Sequence, residues 1–481
     1  MTFKRSAMAA LIAAVSAPAF SMPLADELRN LLVNHPLVKS SMRSSDASDA
    51  GRNVAQSSFY PRVVVSGDTG REKVSSESYR QDSNLKLGNN GTFTPATESD
   101  LPRRKLTATI EQNLYAGGRS KAAVDIAELD YQAKENALQV TMQDVLLEGI
   151  SAYVQIGRYQ TLIALAGRNE ETTKRQLGLE NQRVERGGGI AVDVLQARAR
   201  LQLVRERSVF YMQGLRDASA NYQQVFGHAP DLANMEELAI FTDRLPVSLE
   251  AAIEQGRQHN PRLREAFFDS KKAQKQIGAE RSGFMPTIDL VGLHSKDKNV
   301  NAIAQRDETS LLVRFNWVLF SGLETTYRTK AAGATFDALI EREASVINKA
   351  DESIRVTWNQ LINGREREEL LESAANISYD VMQNRKRLRD AGKETAINVL
   401  DAEVEYYGVL SNKVNATNDT RIGSYRLLAA IGALTPEALG LVDGGRFALP
   451  VRPLALDVGK LDGDSSTPVA KPSGKDVTRG K

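Results

Sequence analysis

The sequence predicts a mainly α-helical protein with a small β part, built from one unit made twice. Three observations predict it. Short motifs recur at fixed offsets along the 481 residues. Apolar residues in two long stretches recur at alternating steps of three and four, the spacing of a coiled-coil seam. Two segments alternate apolar and polar residues as strands do.

The repeat is read from its landmarks. His35-Pro36 matches Asn260-Pro261 and Tyr60-Pro61 matches Met285-Pro286, both at an offset of 225. Leu114-Tyr115-Ala116-Gly117 then matches Leu319-Phe320-Ser321-Gly322 at an offset of 205. "RGGGIAVDVLQA" at 186 and "AGKETAINVLDA" at 391 keep that second offset, as do Tyr153 with Trp358 and Phe226-Gly227 with Ile431-Gly432. The drop between the offsets places roughly 20 extra residues between Pro61 and Tyr115, and a polar surface loop tolerates such an insertion.

Each element follows from local pattern. Residues 1–21 read as a secretory signal: Lys4 and Arg5, an apolar run from Ala7 to Val15, then small residues at Ala17, Ala19 and Ser21. The competing reading is an anchor helix, but the run is shorter than the roughly 18–20 residues a span needs. The first repeat, 22–227, is expected to hold a helix at 24–57, strands at 59–70 and 105–115 around a polar loop at 71–104, a long helix at 117–186, a tip at 187–190 and a returning helix at 191–227. A connection follows at 228–248. The second repeat, 249–434, is expected to hold a helix at 249–282, strands at 284–295 and 310–320 around a loop at 296–309, a long helix at 322–391, a tip at 392–395 and a helix at 396–431. The end of the 435–481 segment is poor in apolar residues and is expected to be disordered.

The long helices carry seams: Leu138, Met142, Val145, Gly149, Ala152, Ile156, Tyr159, Ile163 and Ala166 in the first, and Ile347, Ala350, Ile354, Trp358 and Leu361 in the second. A helix of some 70 residues extends about 105 Å and must pack sideways along its run. In the strands, Leu106, Ala108, Ile110 and Leu114 oppose Lys105, Thr107, Thr109, Glu111 and Asn113, and Leu311, Val313, Phe315, Trp317 and Leu319 oppose Arg314 and Asn316. That is the pattern of a transmembrane barrel strand, and equally of a half-buried soluble hairpin. Four strands cannot close a barrel, so membrane insertion requires several chains to pool them. Two chains give eight strands and three give twelve.

Composition excludes several classes. The formal net charge of +2 supplies no basic field for nucleic acid. With no cysteine there is no disulfide, no thiolate chemistry and no acylated N-terminal cysteine. The histidines at 35, 228, 259 and 294 are scattered, so no metal or other cofactor is expected. "AGGRSKAA" at 116 lacks the glycine-to-lysine spacing of a phosphate loop, and Gly117, like Gly322, is expected to turn strand into helix. No nucleophile and base stand in an enzyme-like pattern.

The order helix, strand, strand, long helix, tip and short helix, made twice, resembles the TolC-like outer-membrane efflux proteins. "FYP" at 59, "FMP" at 284, "LYAGGR" at 114, "LFSGLET" at 319 and "AINVLDAEVEYY" at 396 carry the resemblance. It implies a homotrimer whose twelve strands form one barrel in outer-membrane lipid. An α-helical barrel would continue it through the periplasm, with 228–248 and the C-terminal segment at its equator. It further implies a passive exit duct of a tripartite system, completed by a periplasmic adaptor and an inner-membrane ABC or proton-driven transporter. The missing cysteine tilts the reading toward type I protein secretion over multidrug efflux. A periplasmic coiled-coil scaffold without channel activity is the alternative from another class.

The resemblance also assigns the tips. Acidic residues early in the last returning helix ring the periplasmic aperture, and the matching positions are Asp401 and Asn398, the latter where relatives commonly carry aspartate. A competing reading is helix capping, since Asn398 and Asp401, like Asp193 and Gln196, are three residues apart. Arg186, Asp193, Arg389 and Glu394 are the expected contacts between neighbouring tips.

Overall fold

The computed structural model describes residues 24–81, 91–233, 235, 245–301 and 303–441. The expected signal at 1–21, part of the 228–248 connection and most of the 435–481 segment lie outside them. Eight helices and one four-stranded sheet are described: α1 Leu24–Asn34, α2 Pro36–Gln56, β1 Arg62–Gln81, β2 Gly91–Tyr115, α3 Arg119–Glu185, α4 Ala191–Phe226, α5 Leu249–His259, α6 Pro261–Arg281, β3 Thr287–Val300, β4 Ile303–Asn316, α7 Glu324–Asp390 and α8 Ala396–Ala430.

Two expectations are corrected by backbone chemistry. The helices expected at 24–57 and 249–282 are each broken, because a residue before proline is pushed out of the helical region. His35 has ψ 129° and Asn260 ψ 117°, both extended. Asn260 caps the new helix, accepting from the Arg262 amide at 2.9 Å, whereas the His35 side chain caps nothing. The strands also differ from their expected limits. The polar stretches read as loops at 71–104 and 296–309 are largely strand, with β1 pairing with β2 from Arg62↔Glu111 out to Gln81↔Gly91. Backbone pairing needs no apolar face once a ribbon stands in water, so composition misread it. Residues 317–320, expected as strand, follow β4 outside the ladder.

The sheet runs β1-β2-β3-β4, all antiparallel, leaving β1 and β4 as open edges. The helices lie side by side beneath it. α3 and α7, of 67 residues each, are continuous rods of about 100 Å. α1, α2 and α4 lie along α3; α5, α6 and α8 lie along α7, and α6 and α8 also pack on α3. α3 is therefore flanked on both sides. Its predicted seam is buried at Leu138, Met142, Val145, Gly149, Ala152, Ile156 and Ala166. α7 stands at the flank and buries only Ile354, Leu361, Ala375 and Met382.

The main core sits where the helix breaks meet the ends of α4 and α8. Leu32, Leu146, Ile150, Ile354, Leu361, Tyr425, Leu427, Ile431 and Leu434 are its largest fully buried members. Each fully buried aliphatic side chain contributes about 1.5–3 kcal/mol. This core grips α3 between Leu138 and Val154, part-way along the rods, with the sheet at one end and the hairpin tips at the other.

Candidate functional site

The sheet's two faces differ in chemistry. Opposed pairs Val63↔Ile110, Val65↔Ala108, Leu290↔Val313 and Ile288↔Phe315 share one face. Val65, Ile110, Leu311, Val313 and Phe315 lie exposed on it. The other face holds Lys105, Thr107, Glu111, Asp289 and Arg314, interrupted by Val64, Val291 and Leu312. Polar links run across it: Arg314 to Glu111 at 3.3 Å, Asn113 to Asp289 at 2.8 Å and Thr107 to Ser295 at 3.3 Å. At the sheet's helical end Phe59, Tyr60, Phe284, Trp317, Leu319 and Phe320 are exposed, and the Trp317 indole donates to the Phe284 carbonyl at 3.0 Å. An apolar band ending in aromatics is what a lipid-facing surface needs at its interface. Among the described residues no helix is long and apolar enough to cross a membrane.

Gly117 (φ +63°) and Gly118 (φ +89°) make the first turn from sheet to rod; a Cβ on Gly117 would sit 2.6 Å from Met285 Cβ. Left-handed backbone and missing space both demand glycine there. In the second repeat Gly322 (φ +64°) is followed by Leu323 (φ +67°), where the strain of a left-handed side chain is accepted.

At the tips the capping reading is settled by geometry. Thr395 is the N-cap of α8, accepting from the Asn398 amide at 3.3 Å. Asn398 is thus the third helical residue, and its side chain donates to Glu394. Glu394 also accepts from the Thr395 amide at 3.0 Å and faces Arg385 at 3.9 Å. The Asn398 side chain first, then the Thr395 amide, hold the Glu394 carboxyl below the usual carboxylate range. Asp401 lies beyond the cap, bonded by Arg200 of α4 at 2.8 Å, so it is no capping residue. In the first tip Ile190 is the N-cap and gives no side-chain cap. Asp193 lies in the first turn, near the positive end of the helix dipole, with its amide on the Ile190 carbonyl at 3.1 Å.

The expected tip contacts divide. Arg389 reaches Gln176 of α3, linking the two hairpins of one protomer. Glu394 is occupied within its own tip. Arg186 ends α3 as its C-cap, and Arg183 instead closes the first turn by donating to the Gly188 carbonyl at 3.1 Å. Sequence reading missed Arg200, Thr395 and the pair of Lys386 with the fully buried Glu403, 2.8 Å apart. A threonine before an apolar helical run is an N-cap signal that was available for Thr395. For Arg200 the signal was divergence: its repeat partner is Glu405. No group of three or more metal-ligating side chains stands together among the described residues.

The profile of the outer membrane efflux protein family matches residues 28–228 and 252–433, one segment for each repeat. The chain belongs to the outer membrane efflux protein family. It is 24% identical over 435 residues to the outer membrane efflux protein BepC of Brucella suis biovar 1, covering 88% of each chain. It is 24% identical to the alkaline protease secretion protein AprF of Pseudomonas aeruginosa, covering 88% of this chain and 87% of that one. The fold superimposes on the outer membrane protein VceC of Vibrio cholerae with a TM-score of 0.71 at 15% identity, over 85% of this chain and 96% of that one. This is an outer-membrane channel protein that reaches into the periplasm, a transport component of the TolC type.

Proposed function

We propose that three copies close into a twelve-stranded barrel continued by a helical tunnel. This duct would receive cargo from an inner-membrane transporter through a periplasmic adaptor and release it outside the cell. The observation that carries the reading is a pair of open flanks. On one flank β1 has a free edge and α4 exposes Val192, Leu195, Leu203 and Phe210 on the face opposite its buried seam. On the other, β4 has a free edge and α7 exposes Leu370, Ile377, Val381 and Leu388 in one stripe opposite its own. Unlike flanks that meet head to tail close into a ring. A free strand edge in lipid is too costly to persist, so closure is obligatory for the sheet.

The reading extends to cargo and aperture. AprF is by its name a protein of protease secretion, and the absence of cysteine removes a lipid anchor; both favour polypeptide export by an ABC transporter over drug efflux. A ring of three Asp401 carboxylates would line the periplasmic aperture and favour cations. Two measurements test this. Ile377→Lys sets a charge in the α7 stripe and is expected to leave monomers on native mass spectrometry, whereas an intact trimer would refute the seam. Deleting the gene is expected to abolish a secreted polypeptide and leave drug susceptibility unchanged; the reverse pattern would assign the duct to drug efflux.

A further inference from the structure

The two returning helices are copies that have diverged in charge. α4 carries Arg198, Arg200, Arg205 and Arg207 in its first half, and α8 carries Asp401, Glu403 and Glu405 in its own. At the repeat offset Arg200 corresponds to Glu405 and Asp401 to Gln196, so no mirror-image pair exists in the other direction. The pair that forms is Arg200 with Asp401, 2.8 Å apart, with side chains 43% and 47% exposed. Just above it a cavity of about 240 Å³ separates the hairpins, lined by Arg200, Leu203, Val204, Val404, Tyr407 and Gly408 among others. The seam between α4 and α8 is therefore loosely packed where the ion pair bridges it.

We propose that Arg200 weakens the charge of Asp401 within each protomer, so that the carboxylate ring acts on cations at full strength only when α8 parts from α4. Arg200 is thereby a specificity-determining residue of the aperture, although it comes from the other hairpin. The inference rests on the reading of Asp401 as an aperture residue. A guanidinium within hydrogen-bonding distance cancels most of the carboxylate's field at the range of a passing ion. Separation of the hairpins restores three carboxylates with no change in pH.

The test uses the full-length protein in a planar bilayer, with hexamminecobalt(III) as the blocking cation. Arg200→Gln is expected to lower the half-blocking concentration about tenfold, since three modest exposed pairs multiply. Arg200→Lys keeps the charge and is expected to stay near the parent. Arg200→Gln with Asp401→Asn is expected to match Asp401→Asn alone, with block abolished in both. If Arg200→Gln blocks like the parent while Asp401→Asn abolishes block, masking is wrong and the aperture reading stands. If Asp401→Asn blocks like the parent, the aperture reading fails and the masking inference with it.

Discussion

Replacing Lys386 with methionine isolates one charge in the driest part of the second tip. The Glu403 side chain is wholly buried, and Lys386 at 2.8 Å is its ion-pair partner, itself 26% exposed. Removing one partner of a buried pair costs about 3–5 kcal/mol, because the other charge stays desolvated. The partial exposure of Lys386 puts this case at the low end, about 3 kcal/mol, or about 100-fold in a local opening equilibrium. The pair joins α7 to α8, so the opening is local to the second hairpin and leaves the equatorial core intact. Native-state hydrogen exchange resolves this: amides at 382–389 and 400–407 are expected to exchange about 100-fold faster, with those around Leu146 and Ile150 unchanged. Lys386→Met with Glu403→Leu removes both charges and is expected to restore protection to within about tenfold of the parent. The reasoning is refuted if Lys386→Met exchanges at the parent rate, or if the double variant opens faster than the single one.

Asn398→Asp, the change suggested by the expected second acidic ring, is predicted to act on the tip before it acts on the pore. It replaces the donor on Glu394 with a second carboxylate, so the Glu394 titration is expected to move upward, read by carboxyl-carbon NMR. In the parent Glu394 titrates below its ordinary value of 4.5, so its tie is fully present above that pH. The tie is lost as pH falls through the depressed value, and a titration at or above the ordinary value would refute this. Gly432→Val is predicted to destabilise by about 3 kcal/mol, since left-handed backbone and overpacking add. Gly432 has φ +77°, and a Cβ there would lie 2.7 Å from both the Asn260 Cα and the His259 carbonyl. Gly278→Val, where a Cβ meets nothing within 4 Å, is the control; equal shifts in thermal midpoint would refute the steric argument.

The rods, the tips and the duplication were legible because each rests on local spacing. The seam from Leu138 to Ala166 is a property of one helix, and so are the glycines that turn sheet into rod. The strand limits were not legible, because residues 71–81 pair through backbone groups that side-chain composition does not report. The role of Asn398 was half legible. Its position beside a turn was evident, but its bond to Glu394 depends on Thr395 taking the cap and setting the phase of the helix. Arg200 and Asp401 were invisible as a pair, since 200 residues separate them and only the packing of α4 on α8 brings them together. Equivalent residues in a duplicated chain need not have equivalent surroundings. α3 lies between neighbours and α7 at a flank, so the same seam is buried in one copy and partly bare in the other.

That asymmetry extends to the tips, which are not level. Arg158 lies 27 residues before the end of α3 at Glu185, and its partner Asp419 lies 23 residues after the start of α8 at Ala396. Arg200 lies nine residues after the start of α4 at Ala191, and its partner Asp401 five after Ala396. Both pairs give the same difference of four residues, about 6 Å of helix. The first tip therefore projects beyond the second. A partner approaching along the rods meets Gly187 to Ile190 first, a turn with an exposed Ile190 and no ion pair to the other hairpin among the described residues. The second tip stays recessed, braced by Glu394, Thr395 and Asn398 and tied back through Arg389 and Asp401. The projecting tip thus carries only its own turn, while the recessed one is tied to the first hairpin through the Arg200–Asp401 and Arg389–Gln176 contacts.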